Sequence, residues 1–136
     1  LDRINLRPSA SIELDWMLPA PAQGAVVAVC SAEDQWLSAI FVSLNDAHTD
    51  LCTGAERDFL RALSGGCSTP ISALAQIEQG LLHFKGSITS VDGKEKIETE
   101  RTVDLNKMEG IGKEAALEIL ANGGDKIIES IRNGGK

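Results

Sequence analysis

Cys67 is the residue of this chain whose type and setting best suit covalent chemistry. It lies in the segment Ser64-Gly65-Gly66-Cys67-Ser68-Thr69-Pro70, where two glycines and a proline predict a turn that leaves the sulfur within reach of a ligand. A thiolate is a strong nucleophile. The turn follows the C-terminal end of a predicted helix, however, and the negative end of a helix dipole does not favour a thiolate. A covalent anchor is therefore a better functional interpretation of Cys67 than an activated catalytic nucleophile, but spacing alone favours a small buried loop hydrophobe.

The other cysteines and the two histidines offer less chemistry. Cys30 ends a predicted buried strand and Cys52 lies on the apolar face of a predicted helix, so both are expected to be inert core residues. His83 points outward from a predicted strand, and His48 lies in a break between two predicted helices. Neither histidine has the spacing of a metal ligand, so we predict no metal site.

Composition excludes several classes of function. The chain has 136 residues, a formal charge of −7 and thirteen Lys and Arg scattered among acids, which argues against a nucleic-acid partner because phosphate binding needs a basic face. No apolar run approaches the roughly 18 to 20 residues of a membrane helix, and the first residues lack a signal-peptide pattern. Three cysteines without a CxxC pair indicate free thiols in a reducing cytoplasm.

The elements that would position Cys67 form a small α+β unit. Helical spacing predicts a helix from an N-cap at Thr49 to Leu63, ending at Gly65-Gly66. Alternation and turn signals such as Asp92-Gly93 predict an antiparallel meander, and apolar spacing predicts two terminal helices. The predicted strands cover 71–77, 81–90 and 96–103, and the helices cover 111–120 and 126–131. We expect a three-stranded antiparallel sheet covered by helices on one face.

The residues before position 49 fit this unit poorly. Ala25–Cys30 is a continuous apolar run, which is typical of a strand buried on both faces, and Ala32–Leu44 has the spacing of an amphipathic helix. A strand of this kind needs neighbours on both edges, so we interpret the pair as a strand-helix segment from a neighbouring domain. Pairing of strand 25–30 with a second copy of the chain is a further hypothesis.

Two motifs resemble those of a known enzyme family. Leu18-Pro19-Ala20-Pro21-Ala22-Gln23-Gly24-Ala25 resembles the LPAxGQGA segment of porphobilinogen deaminases (hydroxymethylbilane synthases). Ala55-Glu56-Arg57 through Gly65-Gly66-Cys67-Ser68-Thr69-Pro70-Ile71 resembles their AERxFLxxLxGGCxxPI segment. The second motif is highly specific, and the resemblance covers essentially the whole chain.

The resemblance implies a cofactor and a reaction. In that family the matching cysteine, here Cys67, forms a thioether with a dipyrromethane, and porphobilinogen units are deaminated and added to it until hydroxymethylbilane is released. Gly65 and Gly66 would let the tethered chain swing, and Gln23 and Gly24 would line the active-site cleft. The cofactor need not be loaded in this chain.

The resemblance also implies a division into domains. Residues 1–18 would end the second domain, 19–47 would return through the first, and 48–136 would form the cofactor-attachment domain. The catalytic carboxylate and most substrate-binding arginines would lie in missing N-terminal domains, so we assign no catalytic residue here and expect the chain alone to be inactive. Ala22 departs from the family by replacing a glycine, and Val29-Cys30-Ser31 replaces a glutamate-x-arginine ending.

Two other interpretations stay open on the residues alone. One is a stand-alone tetrapyrrole-binding or interaction module that keeps the fold without catalysis. The other, a thiol-dependent hydrolase, has weaker support because no histidine is placed to activate Cys67.

Overall fold

Three antiparallel strands form the sheet that the sequence predicts. A computed structural model describes residues 12, 14, 16–64 and 69–134, and in it the strands are ordered β1-β2-β3, with β1 at one edge. They run over Ile71–Glu78 (β1), Leu81–Thr89 (β2) and Lys96–Asp104 (β3). Ile88 pairs with Ile71 on one side and with Ile97 on the other, which fixes the register. The predicted meander is confirmed, with each strand ending within a residue of its expected position.

Both hairpin turns fall where glycine-containing dipeptides predict them. Gln79 and Gly80 have positive φ, 51° and 81°, as a two-residue type I′ turn requires. In the second turn the Asp92 carboxylate accepts hydrogen bonds from the Ser90 hydroxyl at 2.6 Å and from the Lys94 amide at 3.2 Å. These bonds hold the pKa of Asp92 below its ordinary value, and the bond from Ser90 has the largest effect. The turn chemistry therefore helps to set the register of the whole sheet.

Two helices cover one face of the sheet. Helix α2 spans Ala47–Ala62 and helix α3 spans Ile111–Ile119, and they pack on the strands and on each other. The N-cap of α2 is Asp46 rather than Thr49, because the Asp46 side chain accepts a hydrogen bond from the Thr49 amide at 2.8 Å. Aspartate caps a helix at least as well as threonine does, so the helix begins earlier than predicted.

The core lies between the sheet and these helices. Phe59 of α2 and Phe84 of β2 are fully buried and meet edge to face, with ring centroids 5.3 Å apart. Gly86 makes room for this pair, since a β-carbon there would stand 2.6 Å from the Phe59 ring. Among the described residues, the buried hydrophobic ones are Ala55, Phe59, Leu63, Ile71, Ala73, Ala75, Leu82, Phe84, Ile88, Ile111, Ala115, Ala116, Ile119, Ile127 and Ile128. All of them lie in α2 or later in the chain.

The residues before α2 lie outside this core. Helix α1, Gln35–Leu44, is capped by Asp34 and buries none of its side chains fully. The predicted strand Ala25–Cys30 does not form: these residues pair with no strand in the described part of the chain, and Val26 is 97% exposed. The expected burial on both faces is therefore not found, because a strand needs neighbours to bury its faces and satisfy its edges.

The C-terminal part forms the two helices that the sequence predicts. Gly110, with φ 77°, precedes α3, which begins at Ile111 as predicted. A π-helical turn over Leu120–Gly124 contains the break at Gly123, with φ 101°, and helix α4 follows over Asp125–Gly134. Within the ranges that the structure describes, no helix combines the length and apolar character needed to cross a membrane.

Candidate functional site

The predicted anchor loop connects α2 to β1. Its central residues, which lie outside the described part of the chain, are Gly65, Gly66, Cys67 and Ser68. On the helix side, Leu63 is buried in the core and Ser64 has a φ of 53°. This left-handed conformation turns the chain away from the helix axis as soon as α2 has ended.

The strand side of the loop is fixed by backbone hydrogen bonds. The Thr69 carbonyl accepts a hydrogen bond from the Ile71 amide at 2.8 Å, and the Pro70 carbonyl accepts one from the Thr89 amide at 3.0 Å. The second bond extends the pairing of β1 with β2 up to the proline. Both ends of the Cys67 loop are thus attached to well-packed elements.

Gln23 and Gly24 lie in a tight turn held by its own hydrogen bonds. The Gln23 amide donates to the Ala20 carbonyl at 3.0 Å, and the Gln23 side-chain oxygen accepts from the Ala20 amide at 3.0 Å. Ala22 and Gly24 have φ of 60° and 85°. The left-handed conformation of Ala22 explains why a glycine suits this position, because an L-residue with a β-carbon is strained there.

The segment that leads into this turn lies along the free edge of β1. The Pro19 carbonyl accepts a hydrogen bond from the Ala73 amide at 3.0 Å. An edge strand has unpaired amides that need partners, and this contact supplies one of them. The turn that contains Gln23 and Gly24 is thereby brought to the strand that follows the Cys67 loop.

Glu56 makes a second connection at the same edge. Its carboxylate is almost fully buried, with the residue 5% exposed. One carboxylate oxygen accepts from the Ala22 amide at 2.6 Å and the other accepts from the Ala75 amide at 2.8 Å. A buried carboxylate needs such donors to offset the loss of water, so Glu56 joins α2, β1 and the turn.

This role of Glu56 was not predicted from the sequence, although a signal was present. Glu56 follows Cys52 by four residues and precedes Phe59 by three, which places it on the inward face of α2. A charged residue on an inward face needs partners. Which backbone amides would serve as partners depends on contacts between distant parts of the chain.

The two described cysteines differ in setting. Cys52 is half-buried, and burial, followed by the negative charges of Glu56 and Asp46, raises the pKa of its thiol above the ordinary value of 9.0. Cys30 is exposed, so the prediction of a buried core cysteine is wrong for that residue, because no element in the described part of the chain covers segment 25–30. Cys52 matches its prediction more closely, since it packs against the core.

A cleft of about 860 Å³ separates segment 22–30 from helices α1 and α2. Gly24 contributes to its lining, together with Cys30, Phe41 and Arg57, whereas Gln23 does not. The cleft is bounded by backbone and small apolar side chains on one side and by the first turns of α2 on the other. It places Gly24 at a concave surface next to the helix that leads to the Cys67 loop.

These features define a class of structure: a small α+β domain in which a glycine-flanked cysteine loop connects a helix to an edge strand. The sequence profile described as "Porphobilinogen deaminase, C-terminal domain" matches residues 50–121, from within α2 to the π-helical turn. This match covers more than half of the chain, and the chain belongs to the porphobilinogen deaminase family.

Curated relatives agree with this assignment. The chain is 35% identical over 121 residues to the porphobilinogen deaminase of Carboxydothermus hydrogenoformans, an alignment that covers 89% of the chain and 39% of the relative. The Listeria monocytogenes enzyme is 39% identical over 116 residues, covering 85% of the chain and 37% of the relative. A chloroplastic porphobilinogen deaminase of Oryza sativa is 37% identical over 137 residues, covering 97% and 38%. The chain thus spans about two fifths of the length of these relatives.

Proposed function

We propose that this chain is the C-terminal part of a porphobilinogen deaminase, the transferase that assembles four porphobilinogen units into hydroxymethylbilane for tetrapyrrole synthesis. The observation that carries the proposal is the family match over residues 50–121, which includes the loop with Cys67. The alternative of a stand-alone binding module has no comparable support, because the relatives that the chain matches carry the enzyme's name.

Cys67 is the proposed attachment point of a dipyrromethane cofactor, through a thioether. When bound, this group supplies the pyrrole end to which substrate units are added. The fixed flanks of the loop fit such a role, since a tether needs a rigid base. Cys52 fits the role poorly because its thiol is half-buried and has a raised pKa.

Gln23 and Gly24 are proposed to contribute to the wall of the active-site cleft. Gly24 lines the cleft between segment 22–30 and the helices, and the whole turn is hydrogen-bonded to the edge of β1 through Pro19. Backbone with a small or absent side chain allows a planar ligand to approach closely. Gln23 is exposed, and its side-chain amide is available for polar contacts beside Gly24.

The proposed domain division assigns residues 1–18 to the second domain, 19–47 to the first and 48–136 to the third. Support comes from burial: Val26, Val27, Val29 and Trp36 are 97%, 71%, 83% and 73% exposed, while the described core lies entirely in α2 and beyond. Several exposed apolar side chains so close together in the sequence favour a surface that another element covers. The N-terminal domains of the complete enzyme are the proposed cover, and they would also supply the catalytic carboxylate.

Self-association is the second candidate: segment 25–30 of another copy of the chain would cover these exposed residues. Light scattering of the 136-residue chain separates the two: a concentration-dependent dimer, abolished by Val27→Lys, supports pairing of two copies. A monomer at all concentrations supports the proposed cover by other domains of one chain.

The enzymatic proposal is tested by porphobilinogen consumption in the natural protein at its full length. We expect turnover in the wild type and in Cys52→Ser, loss of turnover in Cys67→Ser, and none from the 136-residue chain alone. Turnover by Cys67→Ser would contradict the assigned anchor, and bilane production by the short chain would contradict the need for other domains. A cytoplasmic location belongs to the same proposal, although one relative is named as chloroplastic.

A further inference from the structure

Glu56 is a buried carboxylate whose described partners are backbone amides alone. Its oxygens accept from the Ala22 amide at 2.6 Å and from the Ala75 amide at 2.8 Å, which lie 34 and 19 residues away in the sequence. No lysine or arginine forms an ion pair with it in the part of the chain that the structure describes. A carboxylate that receives one N–H on each oxygen fixes the distance between the two donors.

We propose that Glu56 is a positioning residue, which holds the Gln23–Gly24 turn at a fixed place relative to the strand that leaves the Cys67 loop. The inference rests on the proposed function, because it concerns the cleft turn and the anchor loop of that enzyme. Ala22 directly precedes Gln23, and Ala75 lies in β1, which starts at Ile71, shortly after Cys67.

The base of this connection is rigid. Glu56 lies one residue after Ala55 and three before Phe59, both of which are buried in the core. The same helix ends at Ala62 and leads directly into the loop. One side chain therefore connects the helix before the loop, the strand after it and the turn beside the cleft.

The two hydrogen bonds specify glutamate. Glutamine has the same shape but only one acceptor oxygen, and its NH2 group would face one of the two backbone donors. Aspartate keeps both acceptors but is shorter by one methylene group, so it can reach fewer of the donors. Glu56→Gln and Glu56→Asp therefore test the same pair of hydrogen bonds in two ways: the first removes one acceptor oxygen, and the second shortens the side chain.

The first test is hydrogen exchange in the natural full-length protein, followed by mass spectrometry of peptides that contain Ala22 or Ala75. In Glu56→Gln we expect exchange to accelerate by about tenfold in at least one of the two peptides, since the amide that faces the NH2 group loses its acceptor. Glu118→Gln is the matched control: Glu118 is also hydrogen-bonded, to Thr99 and Arg101, but far from the turn along the chain. Unchanged exchange at both peptides in Glu56→Gln overturns the inference.

The second test measures steady-state turnover with the intact mass of each variant. We expect Glu56→Gln to lower kcat by about tenfold or more while the mass still includes the cofactor, because small misplacement of positioned groups is costly to rate. Glu56→Asp should recover part of the loss, and Glu118→Gln should leave kcat and KM unchanged. A kcat equal to wild type in Glu56→Gln, or equal losses in Glu118→Gln, contradicts the positioning role.

The two tests separate this inference from the proposed function. The proposed function is rejected if the wild-type protein neither carries the cofactor nor consumes porphobilinogen. In that case the hydrogen-exchange data alone test whether Glu56 connects the turn to β1. If Glu56→Gln does not fold, Glu56→Asp is used in its place, with faster exchange at Ala22 as support and unchanged exchange and kcat as the contrary result.

Discussion

Gly112 of α3 packs directly against the backbone of Ala55 in α2. A β-carbon at Gly112 would overlap the Ala55 carbonyl oxygen and would stand 2.9 Å from the Phe59 nitrogen. The two helices can approach this closely only because the side chain is absent. The crossing also holds in place the stretch of α2 that carries Glu56 and Phe59.

Replacement of Gly112 by alanine should therefore destabilise the domain. We expect Gly112→Ala to lower the free energy of unfolding by about 2–3 kcal/mol, since the obstruction is backbone and cannot rotate away. Urea unfolding followed by circular dichroism measures this. Gly54→Ala is the control, because a β-carbon at Gly54 would have no atom within 4 Å, and it should stabilise α2 by about 0.5–1 kcal/mol. Equal effects of the two substitutions would contradict the close crossing.

Ala22 offers a stabilising change in the cleft turn. Its φ of 60° is costly for a residue with a β-carbon, so Ala22→Gly should strengthen the turn by about 0.5–1 kcal/mol. The expected result is slower hydrogen exchange of the 18–25 peptide. Ala25→Gly is the control, since Ala25 has no positive φ and glycine there only adds freedom to the unfolded chain. Faster exchange in Ala22→Gly would show that the turn does not adopt this conformation.

Stability should fall in acid through Glu118. Its pKa is held below the ordinary value of 4.5 by a hydrogen bond from the Thr99 hydroxyl and next by hydrogen bonds from Arg101. Because the pKa of Glu118 is depressed in the folded state, its contribution to stability is fully present above the pKa that it has in the unfolded chain. That contribution is lost as the pH falls through the pKa of the folded state. Urea midpoints should therefore decrease below about pH 4.5.

Substitution isolates that contribution. Compared with the wild type, Glu118→Gln should have a lower urea midpoint at neutral pH and a shallower loss of stability between about pH 5 and about pH 3. Glu129→Gln, at an exposed position of α4, is the control and should preserve the slope. A slope in Glu118→Gln as steep as in the wild type would contradict the assignment.

Thiol alkylation should distinguish the described cysteines. Cys30 is exposed, whereas Cys52 is half-buried with a raised pKa, so Cys30 should react with iodoacetamide at least about tenfold faster at neutral pH. Peptide mass spectrometry of the 136-residue chain at several times gives both rates. Similar rates for the two residues would indicate that α2 does not pack on the core as described.

Much of the domain could be predicted from local sequence. The strands follow from alternation and from Asp92-Gly93, whose turn chemistry acts over a few residues, and the two terminal helices follow from apolar spacing. The helix start at Asp46 could not be predicted in this way, because several neighbouring residues can cap a helix and local pattern does not choose between them.

Other features depend on contacts that no local pattern contains. The apolar run at 25–30 has the composition of a buried strand, but burial requires partners that the described part of this chain does not provide. Glu56 could be recognised as an inward charge, yet its partners at Ala22 and Ala75 come together only in the folded domain. The assignment of Cys67 rests on its motif and family, since spacing alone also allows a buried loop cysteine.

The most direct test of the central claim is the intact mass of the natural full-length protein, beside Cys67→Ser and Cys52→Ser. We expect the wild type and Cys52→Ser to exceed their sequence masses by two linked pyrroles, and we expect Cys67→Ser to match its own. A folded wild-type protein without the excess, or an excess that persists in Cys67→Ser, would contradict the assignment of Cys67 as the dipyrromethane anchor.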